Sequence, residues 1–237
     1  MKSSELPKIP GLIRLQNPET GGEPTLDHQY TLRDAAAIHL QGIRTHLSKI
    51  SVTEPILIIG MSMGGMIMSY LASEFRKELP KNTRFRFLAT SANLPTQPVI
   101  SDELIRFWQT AIPGDSKSFA PILKPFFSLA YVSQFPDQFR DYCAFRANGA
   151  NQQTPRGFMR QVGAIKSFPG AETFAAVDPS ECEFIGAGDD QVLGKSHSHI
   201  LQDLVPGAFH CELPGVGHMI NMERPDLFHR ELIGITT

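Results

Sequence analysis

The chain has 237 residues, and 41% of them are hydrophobic, which suits one globular domain with a full core. Its 22 basic and 24 acidic side chains give a formal charge of -2, and no long run of either sign offers a phosphate-binding face, so nucleic acid is not an expected partner. The three cysteines have no CxxC spacing, which indicates neither a disulfide framework nor a metal site. Without an apolar N-terminal core or eighteen consecutive apolar residues, we expect a cytoplasmic protein with no membrane association.

Strand and helix patterns alternate along the chain. Short β-branched or aromatic runs predict strands over residues 55–60, 84–90, 182–187 and 208–213. Apolar residues at helical spacing predict a helix over 32–50, opened by a capping box of Thr31 and Asp34, and further helices over about 63–79 and 225–232. This alternation predicts an α/β fold, with a mostly parallel sheet covered by helices on both faces.

The alternation stops between residues 95 and 170. This stretch has helical patterns, many aromatic residues and interrupting prolines, as in FAPILKPFFSLAYVSQF. Such a composition indicates a helical insertion that lies over the sheet. The predicted organisation is therefore a single domain over residues 1–237 with a helical cap at about 95–170.

A serine lies between two glycines directly after the first predicted strand, in the run Gly60-Met61-Ser62-Met63-Gly64. The pattern G-x-S-x-G between a strand and a helix is typical of a nucleophile elbow, a strained turn that exposes the serine hydroxyl. Side chains at the two glycine positions are expected to clash with neighbouring backbone. The N-terminus of the following helix favours negative charge that develops nearby. A plain strand-to-helix turn is the alternative interpretation of this pattern.

With this motif the chain resembles the α/β-hydrolase family, and the resemblance continues at the C-terminus. The run GVGHM, which contains His218, follows the last predicted strand and precedes the run ERP. This resembles the loop that carries the catalytic histidine of the family. The resemblance implies that His218 is the base, whereas His197, His199 and His229 have no such context.

The acid is expected in the run GAGDDQV, after the third predicted strand. The family pattern is a glycine, two residues, the acid, two residues and often valine, and Asp189 has this spacing on both sides. The resemblance therefore implies that Asp189 accepts the Nδ1 proton of His218 and stabilises the imidazolium. Asp190 remains an alternative, as does a simple turn that ends the strand. The order Ser62, Asp189, His218 is the order of the family.

The front of the chain departs from the family pattern. Family members usually have two strands, a helix and a Gly-rich oxyanion loop in this region, and only 61 residues precede Ser62. Residues 9–12 (IPGL) resemble either the loop after the second of those strands or the oxyanion loop itself. The first interpretation is favoured, because the 19 residues between Gly11 and Thr31 cannot hold both a helix and a strand. The chain is thus expected to be shortened at its N-terminus and to lack its first strands.

Such a loss has two expected consequences. The resemblance implies the Met63 N–H as one oxyanion donor, but the loop that supplies the second donor is missing. The sheet would also have an exposed edge, through which homo-oligomers could form.

The resemblance implies a serine hydrolase that cleaves an ester-type bond of a small, partly apolar substrate through an acyl-enzyme, with no metal or organic cofactor. An apolar acyl pocket is expected from five residues: Met61, Trp108, Phe126, Phe127 and Tyr131. Two alternatives remain open. One is a non-catalytic small-molecule-binding protein with the same fold, and the other is lyase or C–C hydrolase chemistry on the same triad.

Overall fold

The computed structural model describes residues 13, 15–18, 29–50, 55–94, 102–112, 114–148, 155–194 and 196–232. Four strands form one parallel sheet in the order β1-β2-β3-β4: β1 (Ile56–Met61), β2 (Thr83–Leu88), β3 (Cys182–Ala187) and β4 (Phe209–Leu213). The helices before β2 are α1 (Leu32–Leu47) and α2 (Met63–Ala72). Between β2 and β3 lie α3 (Asp102–Gln109), α4 (Ser116–Leu123), α5 (Leu129–Gln134), α6 (Pro136–Asn148), α7 (Pro155–Lys166) and α8 (Gly170–Ala175). The last helices are α9 (Ser196–Leu204), α10 (Ile220–Glu223) and α11 (Pro225–Leu227), followed by a π-turn over Phe228–Leu232.

The parallel sheet covered by helices confirms the predicted fold class. Residues of β2 and β3 stand side by side in register, and the rings of Phe87 and Phe184 stack 4.6 Å apart in the core. Helix α1 begins with the expected capping box, in which the Thr31 side chain accepts the Asp34 N–H while the Asp34 carboxylate accepts the Thr31 N–H. Because all four strands run in the same direction, the loops after them all lie at the C-terminal ends of the strands, on one side of the sheet.

All three predicted helices have other bounds in the structure, and the helix expected over 32–50 ends at Leu47. The helix expected over 63–79 ends at Ala72, where Ser73 Oγ donates to the Ser69 carbonyl oxygen at 2.7 Å, and a short 3-10 turn follows at Arg76–Glu78. The Ser73 N–H also donates to the Ser69 carbonyl oxygen at 2.9 Å, but Ser73 has a φ of -108° and a ψ of -86°, so its backbone leaves the helical conformation. The helix expected over 225–232 is a single turn, α11, continued by the π-turn.

The region expected to form a cap is helical from α3 to α7, and its first residues, 95–101, lie outside the described ranges. Residues 1–12, on which the expectation of a shortened front depends, also lie outside them. Among the described residues β1 and β4 are the outer strands of the sheet. No helix in the described ranges has both the length and the apolar character needed to cross a bilayer.

Candidate active site

Ser62 stands at the junction of β1 and α2 in a strained conformation. Its φ of 55° and ψ of -125° lie in a region that non-glycine residues rarely adopt and that costs about 1–3 kcal/mol. Two hydrogen bonds stabilise this strained conformation. The Ser62 N–H donates to the Leu88 carbonyl oxygen at 2.9 Å, and the Thr90 hydroxyl donates to the Ser62 carbonyl oxygen at 2.8 Å. The Ser62 side chain does not cap α2, so its hydroxyl is not committed to the helix.

The glycines around Ser62 differ in whether a side chain would fit at their position. A Cβ on Gly60 would lie 2.5 Å from the Gly64 carbonyl oxygen, and a Cβ on Gly65 would lie 2.5 Å from Thr90 Oγ1. A Cβ on Gly64 would meet nothing within 4 Å. The expected clash is therefore confirmed at Gly60 and wrong at Gly64, and the tight contact on the helix side is at Gly65. The reason is that Gly65, rather than Gly64, faces the loop after β2.

Met63 is the first residue of α2, so its N–H has no acceptor within the helix. At this end the helix dipole favours negative charge, which suits the position to an oxyanion. The segment 9–12, considered for the second donor, lies outside the described residues.

His218 lies in the loop after β4 and is almost fully buried, with 2% of its surface exposed. Its Nδ1 lies 2.7 Å from Asp190 Oδ2, and Asp190 is also buried. This arrangement places a proton on Nδ1 and leaves Nε2 as a base. Among the described residues His218 is hydrogen-bonded to Asp190 and not to Ser62, as is common in unliganded sites, where such bonds tighten on binding.

The structure corrects the expected partner of His218, which is Asp190 and not Asp189. The N–H of Asp189 donates to the Val216 carbonyl oxygen at 2.9 Å, and the N–H of Asp190 donates to the Ala187 carbonyl oxygen at 3.2 Å. These bonds turn the loop so that the second aspartate, rather than the first, meets the histidine. The family spacing identifies the loop but not which of two adjacent carboxylates faces inward.

Asp190 is further held by its own loop. Its Oδ1 accepts the N–H groups of Val192 at 2.8 Å and Leu193 at 2.9 Å, while Oδ2 is left for His218. Each carboxylate oxygen thus has a defined donor, which fixes the plane of the carboxylate relative to the imidazole.

The cap contacts the His218 loop directly. The Phe126 ring lies edge-on to the His218 ring with centroids 5.6 Å apart, and the Met219 N–H donates to the Phe126 carbonyl oxygen at 2.9 Å. Four residues after Met219, the Glu223 carboxylate accepts both the N–H and the hydroxyl of Ser128, each at 2.7 Å. Ser128 is the N-cap of α5, so Glu223 joins the start of a cap helix to the segment that follows the histidine.

The five residues expected to line an acyl pocket are placed differently from one another. Met61 is half-buried at the end of β1, and Phe126 is half-buried beside His218. Phe127 is fully buried in the cap core, so the structure contradicts its assignment to a pocket wall. The half-buried Tyr131 stacks on Phe127, and Trp108 stacks on another cap residue, Phe158, at 5.0 Å. Of the cap aromatics in this set, only Phe126 has a ring contact with a proposed catalytic residue.

Metal and thiol chemistry are two other possibilities for a site among the described residues. No group of three or more His, Cys, Asp and Glu side chains there is arranged to hold a metal ion. Burial raises the pKa of Cys143 to about 11 and that of Cys182 to about 12, so both thiols are protonated at neutral pH. Neither has the thiolate character of a cysteine nucleophile.

The chain belongs to the alpha/beta hydrolase family. The model of that family matches residues 9–231, most of the chain, and so includes the elbow at Ser62 and the loops of Asp190 and His218. No curated protein matches the sequence significantly.

Several solved structures share the fold. The chain is similar to Est816, described as an N-acyl homoserine lactone degrading enzyme, with a TM-score of 0.69 and 18% identity over 93% of this chain and 80% of that one. It is similar to the enol-lactonase from Burkholderia xenovorans, with a TM-score of 0.68 and 20% identity over 92% of this chain and 77% of that one. A thermophilic esterase from Thermogutta terrifontis gives a TM-score of 0.64 and 16% identity over 89% of this chain and 73% of that one.

Proposed function

We propose that the protein is a serine hydrolase that cleaves an ester-type bond of a small, partly apolar substrate through an acyl-enzyme. The observation that carries this proposal is the buried pair of His218 and Asp190. The pair follows the C-terminal ends of two parallel strands, as the strained Ser62 follows that of β1. Backbone strain and buried charge both cost free energy, and they persist where a site uses them.

In the proposed reaction Ser62 Oγ attacks the substrate carbonyl carbon while His218 Nε2 takes the hydroxyl proton. Asp190 stabilises the resulting imidazolium through Nδ1. The Met63 N–H is positioned to donate to the oxyanion of the tetrahedral intermediate. Collapse of the intermediate breaks the ester bond, and Nε2 returns the proton to the leaving alcohol. Water then attacks the acyl-enzyme by the same proton route and releases the acid.

The substrate class is proposed from chemistry that the triad can perform. Open-chain esters and lactones both present a carbonyl carbon and an alkoxide leaving group. Two of the similar structures are described as lactone-degrading enzymes and a third as an esterase, which makes both classes the first compounds to test. The half-buried Phe126 beside His218 favours an apolar group near the reacting carbonyl.

The test is covalent labelling with a fluorophosphonate, together with hydrolysis of a p-nitrophenyl ester and of a lactone of matched chain length. We expect labelling at Ser62, and Ser62→Ala should abolish both labelling and turnover. Ser73→Ala is the matched control, because the Ser73 hydroxyl donates to the Ser69 carbonyl oxygen in α2, and it should retain both. Full turnover by Ser62→Ala would contradict the proposal. A folded wild-type protein that is neither labelled nor active would favour the non-catalytic binding protein.

A further inference from the structure

A second serine–histidine pair lies buried behind the proposed triad. Ser91 Oγ is 2.5 Å from His197 Nδ1, and 0% of Ser91 and 5% of His197 are exposed. Because neither side chain is accessible, the pair cannot act as a second nucleophile and base. Buried polar groups are costly unless they are hydrogen-bonded, and here each side chain is the partner of the other. The proposed reaction uses neither side chain, so a structural or positioning role remains.

A third residue holds Ser91 in place. The N–H of Asn93 donates to Ser91 Oγ at 2.9 Å, and the hydroxyl keeps its proton and a second lone pair for His197 Nδ1. The Ser91 hydroxyl can therefore donate to Nδ1 of a neutral His197 or accept from a protonated Nδ1. Asn93 also donates from Nδ2 to the carbonyl oxygen of Ile165 in α7. The pair is thus anchored to α7 through Asn93.

Each partner is also tied to the proposed triad. Ser91 follows Thr90, whose hydroxyl donates to the Ser62 carbonyl oxygen. His197 lies in the first turn of α9, where its N–H donates to the Gly194 carbonyl oxygen at 3.3 Å. The N–H of Gly194 in turn donates to the Asp190 carbonyl oxygen at 3.2 Å. The pair therefore bridges the loop that supports Ser62 and the loop that carries Asp190.

We infer that Ser91 and His197 form a positioning pair, which locks the loop of Asp190 against the loop behind Ser62, with His197 as a buried neutral imidazole. This inference rests on the proposed function of the triad. A neutral His197 leaves the charge of Asp190 to His218 alone. A protonated His197 would compete with His218 for that charge and weaken the base.

The electrostatic surroundings support a neutral His197. Burial lowers its pKa, and the nearby charge of Asp190 opposes this effect without overcoming it. The other titratable group on the same carboxylate is His218. On α9 itself, His199 and Asp203 are exposed and face solvent.

The first test is the pH profile of kcat/KM for an ester, measured on the full chain. His197→Asn keeps an acceptor near the position of Nδ1 and cannot titrate, whereas His197→Leu has a similar volume and no acceptor. We expect the Leu variant to lose roughly 10 to 10²-fold in kcat through misplacement of Asp190, and the Asn variant to retain most of it. In Ser91→Ala, a charged His197 would have no acceptor for its buried Nδ1–H, so the ring should resist protonation to lower pH than in the wild type. The part of the acid limb that His197 contributes should therefore move to lower pH.

A merely structural role would scale activity equally at all pH values, so an unchanged profile shape in Ser91→Ala would overturn the inference. An Asn variant as inactive as the Leu variant would do the same. An activity-free measurement separates this inference from the proposed function: ¹⁵N NMR of the histidine rings in the wild type and in Ser91→Ala. We expect a neutral His197 in the wild type, and titration at lower pH in the variant. A His197 that is charged at neutral pH in the wild type refutes the inference, whatever the activity.

Discussion

Replacing Asp190 by asparagine tests which carboxylate supports His218. Asp190 Oδ2 lies 2.7 Å from His218 Nδ1, while Oδ1 accepts the N–H groups of Val192 and Leu193. The two backbone donors fix the orientation of the new amide, because only its oxygen can accept them. Its NH₂ group then faces Nδ1 and donates to it, so the imidazole proton moves to Nε2. In that tautomer Nε2 cannot take a proton from Ser62.

We expect kcat for an ester to fall about 10⁴-fold, the loss found when the triad acid of a serine protease is replaced by its amide. That factor corresponds to about 5.5 kcal/mol of transition-state stabilisation. Because asparagine keeps both backbone hydrogen bonds, the free energy of unfolding should change by less than about 2 kcal/mol. The assay is steady-state ester hydrolysis, with denaturant unfolding of the same sample.

The matched control is Asp189→Asn, which removes the same charge one residue away. The Asp189 N–H still binds the Val216 carbonyl oxygen in this variant, so the loop should keep its path. We expect less than about a tenfold loss of kcat, since the tautomer of His218 is unaffected. If Asp189→Asn were the more damaging of two folded variants, the pairing of His218 with Asp190 would not be the catalytic one.

Two further pairs of variants separate packing from chemistry. Gly65→Ala should destabilise the protein by about 1–3 kcal/mol, because its Cβ would lie 2.5 Å from Thr90 Oγ1. Gly64→Ala should stabilise it by up to about 1 kcal/mol, because the position is open and alanine favours the helix. Denaturant unfolding measures the free energy of unfolding of both variants, and an equal change in the two would contradict the packing argument. Glu223→Gln should raise KM and cost about 1 kcal/mol of stability, because its amide oxygen can still accept the Ser128 N–H but its NH₂ group can only donate to the hydroxyl. Ser128→Ala loses both the hydroxyl bond to Glu223 and the N-cap bond from the Tyr131 N–H, so it should have the larger effect in the same ester assay. An unchanged KM in both variants would mean that this cap contact does not affect substrate binding.

The fold was predictable because its elements carry local signals. All four strands lie within one or two residues of their predicted bounds, and the capping box at Thr31 starts α1 where expected. The end of α2 was not predictable from Pro80, the obvious stop signal. The helix ends earlier, at a hydroxyl that binds its own preceding turn, and such a bond has no distinctive sequence pattern.

The site was predictable as a set of loops and less so as a set of contacts. The motifs place Ser62 and His218 at strand ends, and the parallel sheet brings those ends to one edge. The choice between Asp189 and Asp190 depends on two backbone hydrogen bonds to other loops, which no spacing rule contains. His197 has no motif at all. Its partner Ser91 lies 106 residues earlier, and only the pairing of β2 with β3 brings their loops together.

The pH dependence of stability tests His197 without any substrate. Burial lowers the pKa of His197 in the folded protein, whereas a histidine in the unfolded chain titrates near about 6.5. As the pH falls below that value, the unfolded chain binds a proton that the folded protein resists. The free energy of unfolding then decreases, by at most about 1.4 kcal/mol per pH unit for one proton.

His197→Asn removes this titration while it keeps an acceptor for Ser91. The variant should be less stable than the wild type at about pH 8, because it loses the packing of the ring. The difference should narrow between about pH 6.5 and 5, since only the wild type pays for keeping His197 neutral there. Denaturant unfolding of both proteins at each pH measures the difference, and the titration of all other groups cancels in it. A difference that stays constant or widens toward acid would mean that His197 is not held as a buried neutral imidazole, and the positioning role argued for it would lose its electrostatic basis.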